Sequence, residues 1–527
     1  MRTTRSSPGG GFALVLALFW TSVACAQQSA EMEAAGSAGL STVAAAATIT
    51  PDDMRSRIAT IAADSMGGRD TPSEGLDKTA AWIADQYAMF GLEPAGENGT
   101  FFQRYAFPLR ALDTTGVHFG TVVNGENVML VFGEDYYVSA AAPFPDRAMG
   151  HGSLVWVGRM EDGSWPALEA VGGQVMVVSL PGTYDRDWRI AAGRAREVAQ
   201  DAGARALLVI LGSDFSELAF ERLAELAGTP TRSVVDPGEI PAFYVRPTAA
   251  AAMFARGGVD ANALPAEPGA TVPVPGVEAH FSAEALVVEE ATAPNVVAML
   301  RGSDPELADT YVVFSAHMDH VGVGTANAAG DSIYNGADDD ASGTSALVEM
   351  AEAFAMLDVA PLRSVVFLNV SGEEKGLLGS RWFTEHPTIP IEGIVANVNM
   401  DMIARNAPDS IVVIGQEYSS LGSLVQRVAA EHSDLGLTVS GDLWPEERFF
   451  FRSDHFNFAR LEIPALFFFA GVHEDYHQPS DEVEKIDADK AARVARLAFW
   501  TAHAIADSPE APAWTPQGLE DVRALTR

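Results

Sequence analysis

From Asn295 onward, short apolar runs alternate with amphipathic stretches. Tyr311–Ala316, Ser364–Val370, Gly393–Met400, Ser410–Ile414 and Ala465–Phe469 are rich in β-branched and aromatic residues, the pattern of strands covered on both faces. Between the first two, the segment TSALVEMAEAFAML sets Leu347, Met350, Ala351, Phe354 and Leu357 at i, i+3, i+4, i+7 and i+10, one face of a helix. Such alternation predicts an α/β domain built on a mostly parallel mixed sheet flanked by helices.

Upstream the pattern changes. Ala80, Ile83, Ala84 and Tyr87 share a helical face between Thr79 and Phe90, and Gly91 ends it. From about 135 to 280, short runs such as Leu154–Val157 and Val175–Leu180 are broken by Pro and Gly, with one helix-to-strand passage from Ala195 to Ile210. That stretch holds no cluster of ligand or nucleophile residues. It reads as a smaller α/β or β-rich accessory domain, 135–280, inserted between 49–134 and 281–507 of the main domain. Residues 27–48, rich in Ala, Ser, Gly and Gln, read as a linker, with ordered chain starting near Asp52. Residues 508–527 read as a peripheral tail.

At the N-terminus, Arg2 and Arg5 precede the apolar run Phe12–Trp20, and small residues follow. This is the order of a secretory signal peptide, here 1–26, and it predicts a periplasmic or secreted product. The run is shorter than the roughly 18 residues of a membrane span, and no later segment reads as one. Ala24-Cys25-Ala26 fits a cleavage site. The rival is a lipid anchor at Cys25, against which Ser22 stands where lipoprotein signals usually carry a large aliphatic residue.

Composition narrows the classes further. The 527 residues carry a formal charge of −37, which repels phosphate backbones and excludes a nucleic-acid partner. With Cys25 as the single cysteine, neither a disulfide within the chain nor a cysteine-based zinc finger can form. Oligomeric state is not encoded in any pattern of the chain.

In a parallel sheet, chemistry gathers at the carboxyl ends of the strands. After Tyr311–Ala316 come His317 and Asp319; after Ser364–Val370, Glu373 and Glu374; after Gly393–Met400, Asp401; after Ala465–Phe469, His477. The loop before the amphipathic helix carries Asp338, Asp339 and Asp340. Packing has no use for such a gathering, because neighbouring carboxylates repel and raise one another's pKa. A bound cation removes the difficulty. Two imidazoles with three or more carboxylates suit Zn²⁺, and such oxygen-rich sites also accept Co²⁺ or Mn²⁺. A loop carboxylate can bridge two ions about 3.5–4 Å apart that share a water. Of the adjacent Glu pair, one can ligate while the other takes the water's proton. Asp319, two residues after His317, is close enough to orient that imidazole.

The segments HMDH, NGADDDASGTSALVEMAEAF, LNVSGEEKGLLGS, NVNMDMI and YHQPSDEVEKID resemble, in order, the motifs of the co-catalytic zinc exopeptidases of the aminopeptidase S/aminopeptidase Y type. That family shares a superfamily with glutamate carboxypeptidase and the transferrin receptor. SMGGRDTPSEG and GLEPAGENGTFFQ resemble its opening segment, and the insert is similar to a protease-associated domain. The resemblance implies the zinc exopeptidase fold, two Zn²⁺ per chain, and peptide substrates with a free N-terminus. It makes Asp339 the bridge, with His317 and Asp401 completing one ion site and Glu374 and His477 the other. Glu373 becomes the general base, and Tyr476 a donor to the oxyanion. Asp340 stands where the family often has Asn and receives no metal role; Asp338 is expected to cap the loop.

Other readings of the same residues compete. His473-Glu-Asp-Tyr-His477 spells H-E-x-x-H, which binds zinc only on a helix; a strand and Ala470-Gly471 close upstream and Pro479 downstream argue against one. Ser453-Asp454-His455 are consecutive and cannot converge as a triad. Arg452 and Asp454 are candidate substrate-side residues, and Phe449–Phe451 either wall a pocket or anchor a loop. On the same scaffold, a carboxypeptidase needs a cation for the substrate's terminus, for which Arg452 is the local candidate. A glutaminyl cyclase typically carries one zinc. A non-catalytic binding protein of the transferrin-receptor kind loses ligands that this chain keeps.

Overall fold

The computed structural model of the chain describes residues 39–526, apart from 124, 139–146, 161–167, 169–170, 235–239 and 270. The proposed signal peptide, Cys25 and most of the expected linker lie outside the described residues. No helix among the described residues is long and apolar enough to cross a membrane.

One body is built on a nine-stranded mixed sheet. Its strands include β1 (Phe102–Ala106), β2 (Thr292–Leu300), β3 (Tyr311–His317), β4 (Ser364–Val370), β5 (Ile394–Met400), β6 (Ser410–Ile414), β7 (Thr438–Ser440) and β8 (Ala465–Phe469). Across the sheet the order is Glu93–Pro94, β2, β4, β3, β5, β8, β6, β7, with β1 paired to β2. The four central strands β4, β3, β5 and β8 run parallel, and antiparallel β2 and β6 flank them. β3 and β4 are buried at every position, which explains why they read as continuous apolar runs rather than as alternation. The chain leaves β3 for β4 on one side and returns to β5 on the other. The carboxyl ends of β3 and β5 therefore open at a switch point, where such sheets place their sites.

The helices α1 (Thr42–Thr48), α2 (Pro51–Ile61), α3 (Glu74–Met89), α4 (Ala341–Ala355) and α5 (Ala488–Ala506) contribute to the largest apolar cluster, which also takes in buried residues of β3, β4 and β5. α4 is almost wholly buried, and its N-cap Asp340 accepts from the Gly343 amide. α3 starts at Glu74, capped by Ser73, five residues before the apolar periodicity announced it.

Three boundaries differ from expectation. The linker reading fails over 42–48: Ser41 caps α1, Ala45 and Ala46 are buried, and Leu40 bridges to Leu357. An Ala-rich stretch has no amphipathic period to detect, yet it packs closely against α4 and α5. The tail reading fails over Pro516–Thr526, which is helical with Val522 buried; Trp514 donates to the Glu462 carbonyl at 2.5 Å. The second body is larger than 135–280. Its ten-stranded sheet runs from Leu109–Leu112 to the long strand Val272–Glu289. Leu109–Leu112, His118–Val123 and Arg147–Arg159 all pair with that one strand. Local alternation cannot say which sheet a strand joins, so from sequence the first strands of this body read as part of the other.

α4 also carries Glu349, buried and ion-paired with Arg57 of α2. Burial raises its carboxyl from 4.5 to about 7, against the pull of Arg57. Between those values the folded chain keeps a proton that the unfolded chain has lost, so this group's contribution to stability is full below 4.5 and lost as pH rises toward 7. Thermal unfolding of wild type and Glu349→Gln at pH 5 and pH 7 should show the wild type losing more on going to pH 7. Equal losses would remove Glu349 from the account.

Candidate metal centre

The carboxyl ends of β3, β4, β5 and β8 converge on one group of side chains. His317 closes β3; its Nε2 lies 3.2 Å from Asp339 Oδ1 and 3.6 Å from Asp401 Oδ1. His477, in the turn after β8, puts Nε2 3.1 Å from Asp339 Oδ2 and 3.0 Å from Glu374 Oε2. Asp339 thus offers one oxygen to each imidazole. The geometry brings all five proposed ligands together, Asp339 between the two sets, and Glu373 lines the same small cavity as His317, Asp339 and Asp401.

Donor atoms of a tetrahedral ion with bonds of about 2.0–2.1 Å stand roughly 3.3 Å apart. The distances above scatter around that value. The buried atoms Asp339 Oδ2 and Glu374 Oε1 make no aligned hydrogen bond and face imidazole nitrogens of His477 and His320 at 3.1 and 2.8 Å, an arrangement that a shared cation would satisfy. The residues therefore fit a cation at each set.

Electrostatics point the same way. Burial pushes Glu373 well above the usual carboxylate range, and Asp401, Glu374 and Asp454 add to the rise. Burial also raises Asp401, although His317 opposes it. Asp339 moves down despite its burial, because His320, His317 and His477 surround it. His477 rises to about 10 although burial opposes it, held by Asp339 and Glu374.

Asp319 acts differently from the simplest expectation. His317 Nδ1 faces the Asp319 backbone carbonyl at 3.2 Å, closer than its carboxylate at 3.7 Å. The carboxylate instead accepts from Thr71 Oγ1 at 2.9 Å and from the Glu373 amide at 3.3 Å. It ties the loop bearing the Glu pair to the start of the domain. Asp338 caps as expected, accepting from the Ala404 amide at 2.7 Å. Asp340, within reach of His317 and Asp401, has its oxygens taken by the amides of Gly343, Met402 and His317.

Tyr476 and Arg452 line the cavity beside Phe449, Phe467 and Phe469. The Tyr476 ring stacks on His477 with centroids 3.9 Å apart, and burial pushes its phenol up. Arg452 lies over the Phe449 ring at 4.7 Å and 3.6 Å from Glu447. Phe449 is both wall and anchor, packing on Phe469 at 4.9 Å. Asp454 does not reach the cavity. It is fully buried, accepts from Ser380 Oγ at 2.5 Å, and is raised to about 7 by burial, which leaves it no face toward a substrate. Residues 473–477 form a turn and not a helix. His473 faces Asp338 at 3.2 Å while His477 faces the metal group, which disposes of the H-E-x-x-H reading.

The sequence reading missed four supports. His320 is fully buried with Nδ1 2.8 Å from Glu374 Oε1 and 3.8 Å from Asp339 Oδ2. In an extended run it would face away from His317; the turn after β3 brings it back, and Gly336 leaves room for its ring. Asp481 accepts from the amides of Asp338 and Asp339. Ser453 donates to Asp401 Oδ2 at 2.8 Å. Arg69, wholly buried, donates to the carbonyls of Ile61, Met318, Asn335 and Gly336, joining both ligand-bearing loops. Only the adjacency of His320 in HMDH and of Arg69 in SMGGRD hinted at them.

Residues 295–502 match peptidase family M28. A probable zinc metalloprotease of Pyricularia oryzae is 27% identical over 261 residues, 41% of this chain and 50% of the relative. Aminopeptidase YwaD of Bacillus subtilis is 27% identical over 175 residues, 31% of this chain and 36% of the relative. The chain spans about half the length of the fungal relatives it matches. Among solved structures, an aminopeptidase from Aneurinibacillus sp. strain AM-1 aligns over 89% of this chain and 97% of its own, with 19% identity and a TM-score of 0.46.

Arg69→Met should leave those carbonyls without donors and the acidic loops without their cation, a loss of about 3 kcal/mol or more. Denaturant unfolding checks this, and a loss below about 1 kcal/mol would show that the loops hold without it.

Proposed function

Because the chain carries a peptidase family M28 domain, we propose that it is an exported zinc aminopeptidase with two Zn²⁺ per chain, releasing single residues from the free N-termini of peptides. The observation that carries the reading is Asp339, which offers one oxygen to His317 and the other to His477. His317, Asp339 and Asp401 would hold one ion; Asp339, Glu374 and His477 would hold the other, with His320 placed to donate to it as well. When bound, the pair supplies a water of lowered pKa and polarises the scissile carbonyl.

The chain's own residues supply the rest. Glu373, on the loop braced by Asp319 and Thr71, takes the proton of the attacking water and delivers it to the leaving amine. Tyr476 donates to the developing oxyanion, its phenol kept neutral by burial. Phe449, Phe467 and Phe469 form the apolar wall against the first side chain. Arg452, held by Glu447, lies where a substrate polar group passes. The second body is proposed as a protease-associated-like insert, and residues 1–26 as the export signal.

Glu373→Ala should keep two zincs by elemental analysis and lose more than nine-tenths of turnover on aminoacyl-p-nitroanilides, with N-acetylated substrates inert throughout. Retention of a tenth, about 1.4 kcal/mol in barrier, would refute the base. His320→Ala should lower the affinity of one zinc at least tenfold in chelator competition, as loss of a metal-site contact does, and leave the other unchanged. Equal affinities for both zincs in wild type and variant would exclude His320 as a donor.

A further inference from the structure

The segment 109–289, which builds the second body, holds three histidines, His118, His151 and His280, and the sheet brings all three to one face. His280 lies in the long strand Val272–Glu289, directly opposite His151 on one neighbouring strand and Gly120 on the other. His118, two residues before Gly120, stands opposite Ser282. Ala279 and Phe281, the neighbours of His280 in sequence, belong to an apolar core of this body, so the imidazoles occupy the opposite, outward face. Directly opposed side chains have Cβ atoms about 4.5–5.5 Å apart, which puts His151 within reach of His280.

Gly120 opens the middle of this group. A Cβ there would come within 2.7 Å of both His280 Cε1 and Met129 Sδ; without one, the imidazole and the thioether lie over the same backbone atom. Met129 pairs with Gly120 from the strand Glu126–Leu130 and is 47% exposed, although methionine is a residue that cores absorb readily. Hydrophobic packing therefore does not account for a thioether and three imidazoles meeting on an outward face.

A bound ion does. Two imidazoles that share an ion at about 2.0–2.1 Å place their ring centroids roughly 5–6 Å apart, and those of His118 and His280 are 5.8 Å apart. Asn127 Oδ1 lies 2.6 Å from His280 Nε2. A carbonyl oxygen accepts a proton there and leaves Nδ1 with its lone pair, the way ligating imidazoles are commonly oriented. Partial burial and the nearby His118 lower His280 from its usual value, which favours the neutral ring that binds metals. The net charge of −37 draws cations to the surface. Imidazole with thioether is a softer donor set than the carboxylates around Asp339: imidazole alone suits zinc, nickel or copper, and the thioether selects copper(I).

We propose that His118, His151, His280 and Met129 form a copper(I) site on the outward face of the second body's sheet. None of the four belongs to the carboxylate-rich centre, and the proposal does not depend on the aminopeptidase reading.

To test it, the full chain is loaded with Zn²⁺ so that the carboxylate-rich centre is occupied, dialysed, and titrated under ascorbate against the copper(I)–bicinchoninate complex, whose colour fades as copper leaves it. The wild type should withdraw about one copper per chain, and His280→Gln and Met129→Leu should each hold it at least tenfold more weakly, about 1.4 kcal/mol. Should the part-buried His280 variant fail to fold, His151→Gln, on an exposed side chain, takes its place with the same expectation. No withdrawal of copper by the wild type, or equal affinity in the histidine variant, overturns the site. Loss in the histidine variant with wild-type affinity in Met129→Leu overturns the copper(I) assignment, because a site of imidazoles alone has no preference for the softer ion.

Discussion

Burying several carboxylates within a few ångströms of one another is the constraint on which the rest of the first body depends. Asp338, Asp339, Asp340, Asp401, Asp454 and Asp481 lie almost wholly out of solvent around the ends of the central strands. Desolvation and mutual repulsion each disfavour their charged forms. Several nearby features reduce that cost. Three imidazoles surround Asp339, amides of the α4 N-terminus and neighbouring loops take the oxygens of Asp340, and Arg69 stands beneath both loops. Its guanidinium is itself lowered to about 10 by burial, with Asp319 and Asp339 among the charges that oppose the fall.

The sheet supplies the geometry. Four adjacent parallel strands end side by side, so residues far apart in sequence reach one place without long loops. α4, buried nearly throughout, fixes the loop that carries Asp338 to Asp340. Asp475, paired with Arg405 and Lys485, anchors the turn that carries His477. Side chains at such ends are held by strands and helices on both sides, which is the rigidity a multi-ligand centre requires.

The second body has its own sheet and its own apolar clusters, and described residues of both bodies line one cavity. Its boundary is not legible in the sequence because Leu109–Leu112 and His118–Val123 carry no local mark of the sheet they join. Pairing with Val272–Glu289 is a contact across more than a hundred residues, and alternation along a strand reports burial and not partnership.

The central strands were legible in the sequence because strands buried on both faces must be apolar throughout. The five candidate ligands were legible because four of them follow those strands, Asp339 leads into the amphipathic helix, and together they share a chemistry that packing does not want. His320, Arg69, Ser453 and Asp481 were not, since each earns its place through a partner distant in sequence. A single histidine or arginine carries no periodic signal of burial. The Ala-rich α1 and the helix at Pro516–Thr526 escaped notice for the related reason that docking, and not amphipathic pattern, orders them. The sequence by itself determined the strand cores and the candidate donor set, because burial and chemistry constrain residue type at each position. Only the tertiary structure decided which sheet each strand joined and which side chains brace the donors, because those depend on contacts that no local pattern records.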